Sequence, residues 1–230
     1  MTDGTAGENF IKRMKNDYEL RTIVASAVSV FITLLFTGYN IFLGAVYGSV
    51  WNIFIAIYYA LLVGIRTFVL AADRKYKKNA EHNERDRRMK INTFLIQSIL
   101  LFIIDIALIG PISIMVLQKK VIHFSELPAI ANAAYTTYKL VSAAVNFKKS
   151  KKHANLSVRM LKNINFIDSL VSLLSLQYVL IMTFGEGVTG DMFVWCAISS
   201  FAIWGIIVVS SIKSLVKAVK IKKTYKASDI

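Results

Sequence analysis

The sequence is poor in the residues that build disulfides and metal sites. It has one cysteine, Cys196, and three histidines in 230 residues. A single thiol excludes an intrachain disulfide and has no second cysteine with which to form a metal signature. His82, His123 and His153 lie outside the apolar runs and show no ligand spacing to a second His, Cys or acid. We therefore expect no metal site and no cofactor.

Catalytic sequence motifs are also missing. The chain has no Gly-rich phosphate loop, no Gly-x-Ser-x-Gly elbow and no His-Glu-x-x-His pair. An enzyme acting inside a membrane would need a nucleophile with a base, and one acid among scattered serines gives thin support for that. We expect a protein that is not an enzyme.

Acidic residues are scarce compared with basic ones. The 28 Lys and Arg face only 14 Asp and Glu, which gives a net charge of +14. Taken alone, this excess suggests nucleic acid. The basic residues, however, form short clusters between apolar runs, where they set orientation and meet anionic lipid. The expected partners are the bilayer and anionic lipid headgroups at the cytoplasmic face, and not nucleic acid.

Long apolar runs dominate what remains. Hydrophobic residues make up 55% of the chain, and the mean hydropathy is +0.52. A helix needs roughly 20 apolar residues to cross a hydrocarbon layer of about 30 Å. Six segments approach that length: 22–43, 49–72, 92–117, 127–146, 164–184 and 190–212. The sequence thus predicts an all-α, polytopic membrane protein with six transmembrane helices.

The basic residues also predict the orientation of these helices. Four Lys and Arg precede the first helix, eight lie between helices two and three, six between helices four and five, and six after helix six. The opposite side has only Lys119 and Lys120. Because short basic loops stay in the cytoplasm, both termini are expected inside, in the plasma membrane. The predicted parts are a cytoplasmic segment 1–21, which is not a cleavable signal peptide, the membrane domain 22–212 and a basic tail 213–230.

The six helices are predicted to form three consecutive hairpins, about 22–72, 92–146 and 164–212, which suggests a threefold internal repeat. Two registers support the repeat. Basic residues near the ends of the returning helices are 73 and 74 residues apart, and serines of the out-going helices are 72 and 74 apart; the residues are Arg66, Lys139 and Lys213, and Ser26, Ser98 and Ser172. The alternative is that a shared hairpin topology alone produces this similarity.

Four charged residues lie more than one turn inside the predicted spans, where charge is costly. Asp105 lies in the middle of helix three and is either part of an ion or proton site or the structural partner of Arg66 or Lys139. Arg66 and Lys139 lie two to three turns from the cytoplasmic ends, and snorkelling explains each of them alone. Asp168 is expected to act as a capping or interfacial acid near the start of helix five.

Hydroxyl residues align with these charges on the out-going helices. Asp168, Ser172 and Ser175 share one face of helix five, Ser98 and Asp105 share one face of helix three, and Ser26 belongs to a similar stripe with Thr22, Ser29 and Thr33 on helix one. If the stripes face inward, they form a polar central path; the alternative is that they are ordinary helix-packing residues. Gly110-Pro111 interrupts helix three just beyond Asp105. Tyrosines of the returning helices donate hydrogen bonds inside the bundle or pack in its core: Tyr58, Tyr59, Tyr135 and Tyr138.

Two function classes fit these residues. The first is a small transporter or channel-like protein with a polar path or site around Asp105 for an ion or small solute. The second is a non-catalytic membrane partner, such as an immunity, anchoring or regulatory subunit, whose basic loops bind anionic lipid or a protein. The transport interpretation requires helices one, three and five to lie next to one another.

Overall fold

The structure is a computed structural model, and it describes residues 18–78, 84–117, 126–150, 156–184 and 190–228. Across these ranges the chain forms only helices. They are α1 (Tyr18–Tyr47), α2 (Val50–Lys78), α3 (Glu84–Ala107), α4 (Ile109–Leu117), α5 (Glu126–Ser150), α6 (Leu156–Phe184) and α7 (Gly190–Ser228). α3 and α4 are the two halves of one predicted span, so the seven helices of the described chain correspond to the six predicted ones.

Within the described ranges, five helical stretches are long and apolar enough to cross a bilayer: Val24–Tyr47, Val50–Lys75, Arg87–Ile114, Leu156–Phe184 and Val194–Ala227. The chain is therefore an integral membrane protein, and the predicted all-α, polytopic fold is confirmed. The fourth predicted span, in α5, is not among the five stretches. It forms a helix of 25 residues, about 37 Å long, but Asn132, Thr136 and Lys139 make it more polar than the others.

Several helices continue past the limits of the apolar runs. α3 begins at Glu84 and α6 at Leu156, each well before its apolar run, and α1 begins inside the predicted polar segment. α7 runs without a break to Ser228, so most of the predicted tail 213–230 is the last part of this helix. Apolar length marks the part of a helix that hydrocarbon covers, whereas the helix itself continues until a breaking residue ends it.

The third span is broken at Leu108, between α3 and α4. Pro111 explains the break, because it has no N–H to donate to the carbonyl of Ala107 and its ring clashes with that carbonyl. The backbone resumes with a hydrogen bond from the Ile112 N–H to the Leu108 carbonyl, 3.2 Å long. The predicted interruption beyond Asp105 is thus present one turn after the acid.

The two central helices are α2 and α6. α2 packs against α1, α3, α4 and α6, while α6 packs against α1, α2, α3, α5 and α7. The closest pairs are α1 with α2, α5 with α6, and α3 with α7. The second expected hairpin is not a packed pair, because α5 lies along α6 instead of α3 and α4. Likewise α1 and α3 have at most a marginal contact, so the packing is not threefold.

The outer faces of the bundle are apolar and the inner faces carry the polar groups. On α1, Phe31, Leu35 and Phe42 are more than half exposed, whereas Thr33 and Asn40 are fully buried. In a soluble protein this distribution would be inverted; here the exposed face matches acyl chains. The polar side chains that could bind a ligand are therefore in the interior of the bundle.

A tight turn joins α1 to α2. Gly48 adopts a positive φ of 62°, and Ser49 Oγ accepts a 3.4 Å hydrogen bond from the Asn52 N–H as the N-cap of α2. At Gly44 the helices approach so closely that a Cβ atom would lie 2.6 Å from Ile53 Cγ1. This turn fixes how α1 slides along α2, and therefore which of their polar residues meet.

Candidate functional site

The main polar cluster lies between α1, α2, α5 and α6, and its centre is Asp168. Arg66 Nη2 donates a hydrogen bond of 2.9 Å to Asp168 Oδ2, and Lys139 Nζ donates to the same oxygen. Arg66 and Asp168 are fully buried and Lys139 is 4% exposed. Two cations from returning helices therefore meet one carboxylate on α6.

Neutral side chains surround the two cations. Arg66 Nη1 donates to Ser29 Oγ at 2.9 Å, and Lys139 Nζ donates to Thr33 Oγ1 at 2.9 Å. Arg66 Nη2 also donates to Asn165 Oδ1 at 2.9 Å. Ser29 and Thr33 lie four residues apart on one face of α1, so that helix supplies hydroxyls and no charge. Each cation thus contacts two helices other than its own, α1 and α6.

These positions correct three sequence-based expectations. Asp168 lies twelve residues after the start of α6 and is fully buried, so it is not an N-terminal capping or interfacial acid. Arg66 and Lys139 do not snorkel, because both reach Asp168 inside the bundle. Neither cation pairs with Asp105. The helices begin or end further out than the apolar runs suggest, which places all three groups deeper in the membrane.

The cluster has one more positive charge than negative charge. Asp168 is the only carboxylate that touches Arg66 or Lys139 among the described residues. Several polar atoms nearby have no hydrogen-bond partner within the described chain: Arg66 Nε, Asp168 Oδ1 and the hydroxyl of Tyr59. Two of these three groups are N–H or O–H donors, so the cluster has spare capacity to bind an acceptor.

An aromatic layer adjoins the cluster on the side toward the α1–α2 turn. Phe36 stacks on Tyr135 with 3.7 Å between ring centroids and meets Tyr59 edge to face at 5.7 Å. Lys139 Nζ lies 5.1 Å from the centroid of the Tyr135 ring, within range of a cation–π interaction. The rings thus separate the charged cluster from the α1–α2 end of the bundle.

Asp105 occupies a different site, between α2, α3 and α7. Tyr58 Oη donates a 2.8 Å hydrogen bond to Asp105 Oδ1, and Ser211 Oγ donates to Oδ2. Trp204 Nε1 donates to the Asp105 main-chain carbonyl at 3.0 Å. Asp105 is fully buried, and no cation contacts it among the described residues. Two hydroxyls, and neither Arg66 nor Lys139, therefore satisfy this carboxylate.

The polar stripes face different neighbours instead of one axis. Ser98 is hydrogen-bonded to Ser214 of α7 at 3.1 Å, as Asp105 is to Ser211 of the same helix. Ser172 Oγ donates to the Ser169 carbonyl at 2.8 Å, an ordinary helix-packing contact. The stripe of α3 faces α7, whereas those of α1 and α6 enclose the Asp168 cluster. The expected single path around Asp105 is wrong, because α1 and α3 are not neighbours.

Two predicted serines lie next to the Asp168 cluster without contacting its charges. Ser175 Oγ donates to Asn132 Oδ1 of α5 at 3.4 Å, one turn beyond Ser172. Ser26, one turn before Ser29 on α1, is 1% exposed, and its hydroxyl has no partner within the described residues. Both lie on the buried stripes that the sequence predicted, so the structure adds them to the lining of the cluster.

Some residues of the two sites were not predicted from the sequence. Asn165 lies three residues before Asp168 and so shares its helix face, which is a signal that was present in the sequence. Ser211 and Ser214 have the same spacing on α7. Trp204 carried no signal, because its hydrogen bond to the Asp105 carbonyl depends on how α7 packs against α3. Comparison with protein-family models, curated proteins and solved structures finds no match for the chain.

Proposed function

We propose that the protein is a small transporter or channel-like protein that binds a small anion at the cluster of Arg66, Lys139 and Asp168. The observation that carries the proposal is the imbalance of charge: two buried cations share one carboxylate oxygen. The proposal has no catalytic step. The condition for a path around Asp105, that α1, α3 and α6 all lie next to one another, is not met, so the proposal rests on the Asp168 cluster between α1, α2, α5 and α6 instead.

The imbalance favours an anion because an unpaired charge in hydrocarbon costs several kcal/mol. A structural ion pair needs one cation per acid, and the Arg66–Asp168 pair alone would meet that need. Lys139 adds a positive charge that only an anion, or loss of its proton, would neutralise. The unpartnered Arg66 N–H and the Tyr59 hydroxyl are donors suited to such an anion.

The polar interior supports movement of the anion along the bundle. Toward the α1–α2 turn, beyond the aromatic layer, fully buried Asn40 and Asn52 have side-chain atoms without partners in the described chain. In the other direction, the unpartnered Ser26 hydroxyl continues the polar lining of α1. A channel or carrier needs polar groups that exchange partners, whereas a purely structural interior has them satisfied.

Reconstitution of the protein in liposomes tests the proposal. Efflux of chloride, nitrate and inorganic phosphate is measured in separate preparations, with valinomycin and potassium to balance charge. We expect at least one of the three anions to leave faster than from empty liposomes. The Lys139→Gln variant should bind the anion about tenfold more weakly, which corresponds to about 1.4 kcal/mol in affinity. Its efflux rate should fall by about tenfold or more as a result.

The matched control is Lys139→Arg, which keeps the charge and should retain most of the flux. Lys139→Gln leaves the neutral Arg66–Asp168 pair intact, so it is expected to fold, and gel filtration in detergent checks this. If none of the three anions crosses the membrane faster than in empty liposomes, or if the Gln variant is as active as the wild type, the proposal fails. The first result would favour the non-catalytic partner, to be captured through the basic segment 74–90.

A further inference from the structure

A basic pocket lies at the ends of three helices, far from the Asp168 cluster. It has a volume of about 560 Å³ and opens between the starts of α3 and α6 and the last turns of α7. Five cations line it: Arg87, Lys90, Arg159, Lys217 and Lys220. No acidic residue is among its lining residues in the described chain. A pocket of this size accommodates a small polar group with part of an attached chain.

Contacts between helices form the pocket and hold it open. The Arg87 guanidinium lies over the Tyr225 ring at 5.4 Å from the centroid, and the Tyr225 hydroxyl donates a 3.3 Å hydrogen bond to the Glu84 carbonyl. The end of α7 is thereby tied to the start of α3. This contact requires α7 to continue as a helix well beyond its apolar run. The extension of α7 therefore has a structural role, because it brings Tyr225 against the start of α3.

The charge and the shape of the pocket select its ligand. Arg87, Arg159, Lys217 and Lys220 carry like charges that repel one another in this small volume, and an anion that accepts several hydrogen bonds relieves that repulsion. Arg87 and Arg159 have the planar, forked donors that bind phosphate oxygens in pairs, and the lysines add point charges. Ile91, Leu156 and Ile221 form an apolar part of the same pocket. The combination fits a phosphate group that continues into an apolar chain.

The position of the pocket favours a lipid over a free phosphate. The predicted apolar runs of α3 and α6 begin at residues 92 and 164, and that of α7 ends at residue 212, so the pocket residues lie just outside these runs, at the membrane surface. Val216 and Val219, on the α7 turns beside it, are 61% and 39% exposed, as side chains in contact with acyl chains are. We propose that this pocket binds the phosphoryl headgroup of an anionic phospholipid.

Binding to the purified full-length protein in a neutral detergent tests the proposal. The probes are dioctanoyl phosphatidylglycerol, dioctanoyl phosphatidylcholine and inorganic phosphate, and native mass spectrometry counts the bound molecules at each concentration. We expect phosphatidylglycerol to bind about tenfold or more tightly than phosphatidylcholine, because only the former has a net negative charge. Inorganic phosphate should bind much more weakly than phosphatidylglycerol, since it lacks the apolar part.

Two double variants separate the pocket from general surface charge. Arg159→Gln with Lys217→Gln removes two lining cations and should weaken phosphatidylglycerol binding by about tenfold. Lys222→Gln with Lys223→Gln removes the same charge from exposed positions of α7 outside the pocket and should change binding less than about twofold. Equal effects of the two double variants would overturn the pocket. Phosphate binding as tight as phosphatidylglycerol binding would overturn the choice of a lipid.

Discussion

The two fully buried acids of the described chain, Asp168 and Asp105, are stabilised in different ways. Asp168 accepts hydrogen bonds from two cations, Arg66 and Lys139, whereas Asp105 accepts them from the hydroxyls of Tyr58 and Ser211. Removing one partner from a buried ion pair leaves an uncompensated charge, which costs far more than losing a neutral hydrogen bond. The same substitution at the two positions should therefore have different consequences.

Asp168→Asn is expected to destabilise the protein much more than Asp105→Asn. The first change leaves two buried cations without an acid and should cost about 3–5 kcal/mol. The second leaves no cation unpaired, because an amide still accepts from Tyr58 and its N–H group can donate to Ser211, so a loss of about 1 kcal/mol is expected. Free energies of unfolding from SDS titration in mixed micelles measure both, with exposed Glu84→Gln as a control.

The same pair of variants separates stability from transport. Since the proposed anion site is at Asp168, Asp105→Asn should keep anion efflux within about twofold of the wild type, as its hydrogen bonds are retained. If Asp105→Asn lowers efflux as strongly as Lys139→Gln does, Asp105 returns to the transport path. Equal destabilisation by the two Asn variants would contradict the different roles that the contacts give the acids.

At the residue scale, the sequence identified the important side chains but not their partners. Arg66, Lys139, Asp105 and Asp168 stood out because charge inside an apolar run is costly. Helical spacing then gave the face on which each residue lies. Helical spacing contains no information on which neighbouring helix packs against that face, or on which of its residues lie at the same depth in the membrane. Pairing of Arg66 with Asp168 depends on how α2 packs on α6, and that is decided by the packing of the whole bundle.

At the scale of the elements, the closest approach of two helices at a described glycine is at Gly44, between α1 and α2. A Cβ there would lie 2.6 Å from Ile53 Cγ1 and 3.3 Å from the Ile53 backbone nitrogen. Gly44→Ala is expected to force the two helices apart and to cost about 1–3 kcal/mol of stability. Because Ser29, Thr33 and Arg66 meet across this pair, anion efflux should decrease as well.

Gly38→Ala provides the matched control on the same helix. A Cβ at Gly38 meets nothing within 4 Å, so this change should be neutral or stabilise α1 by about 0.5–1 kcal/mol through helix propensity. Thermal unfolding in detergent, followed by the loss of monomer on gel filtration, compares the two variants. Similar midpoints would mean that close approach at Gly44 does not determine the packing of α1 on α2.

The sequence predicted which segments form helices, but not where the helices end or which of them pack together. Six apolar runs gave the six helices because hydrocarbon thickness fixes a minimum apolar length. The continuation of α7 to Ser228 was missed, since Lys-rich segments without proline or glycine remain helical in water and produce no apolar signal. The pairing of α5 with α6 was missed because short loops do not decide which neighbour a helix packs against.

At the scale of the whole molecule, α5 decides the topology. Among the described residues, only five stretches are apolar enough to span by composition, and an odd number of crossings would put the two termini on opposite sides. However, α5 packs along α6, and Lys139 in its middle contacts Asp168 in the middle of α6. Its polar residues, Asn132, Thr136 and Lys139, are buried against other helices and not exposed to lipid. We expect a helix so placed to cross the membrane with its neighbour despite its lower hydropathy.

We therefore expect six crossings with both termini in the cytoplasm, and accessibility of single cysteines in whole cells measures this. In a Cys196→Ser background without other thiols, Ala45→Cys at the end of α1 should react with a membrane-impermeant maleimide from outside. Ala227→Cys, at the exposed end of α7, should react only after the cells are opened. Labelling of both from outside would mean that α5 does not cross. The reverse pattern, with Ala227→Cys alone labelled, would mean that the basic ends face outward and that the charge rule fails here.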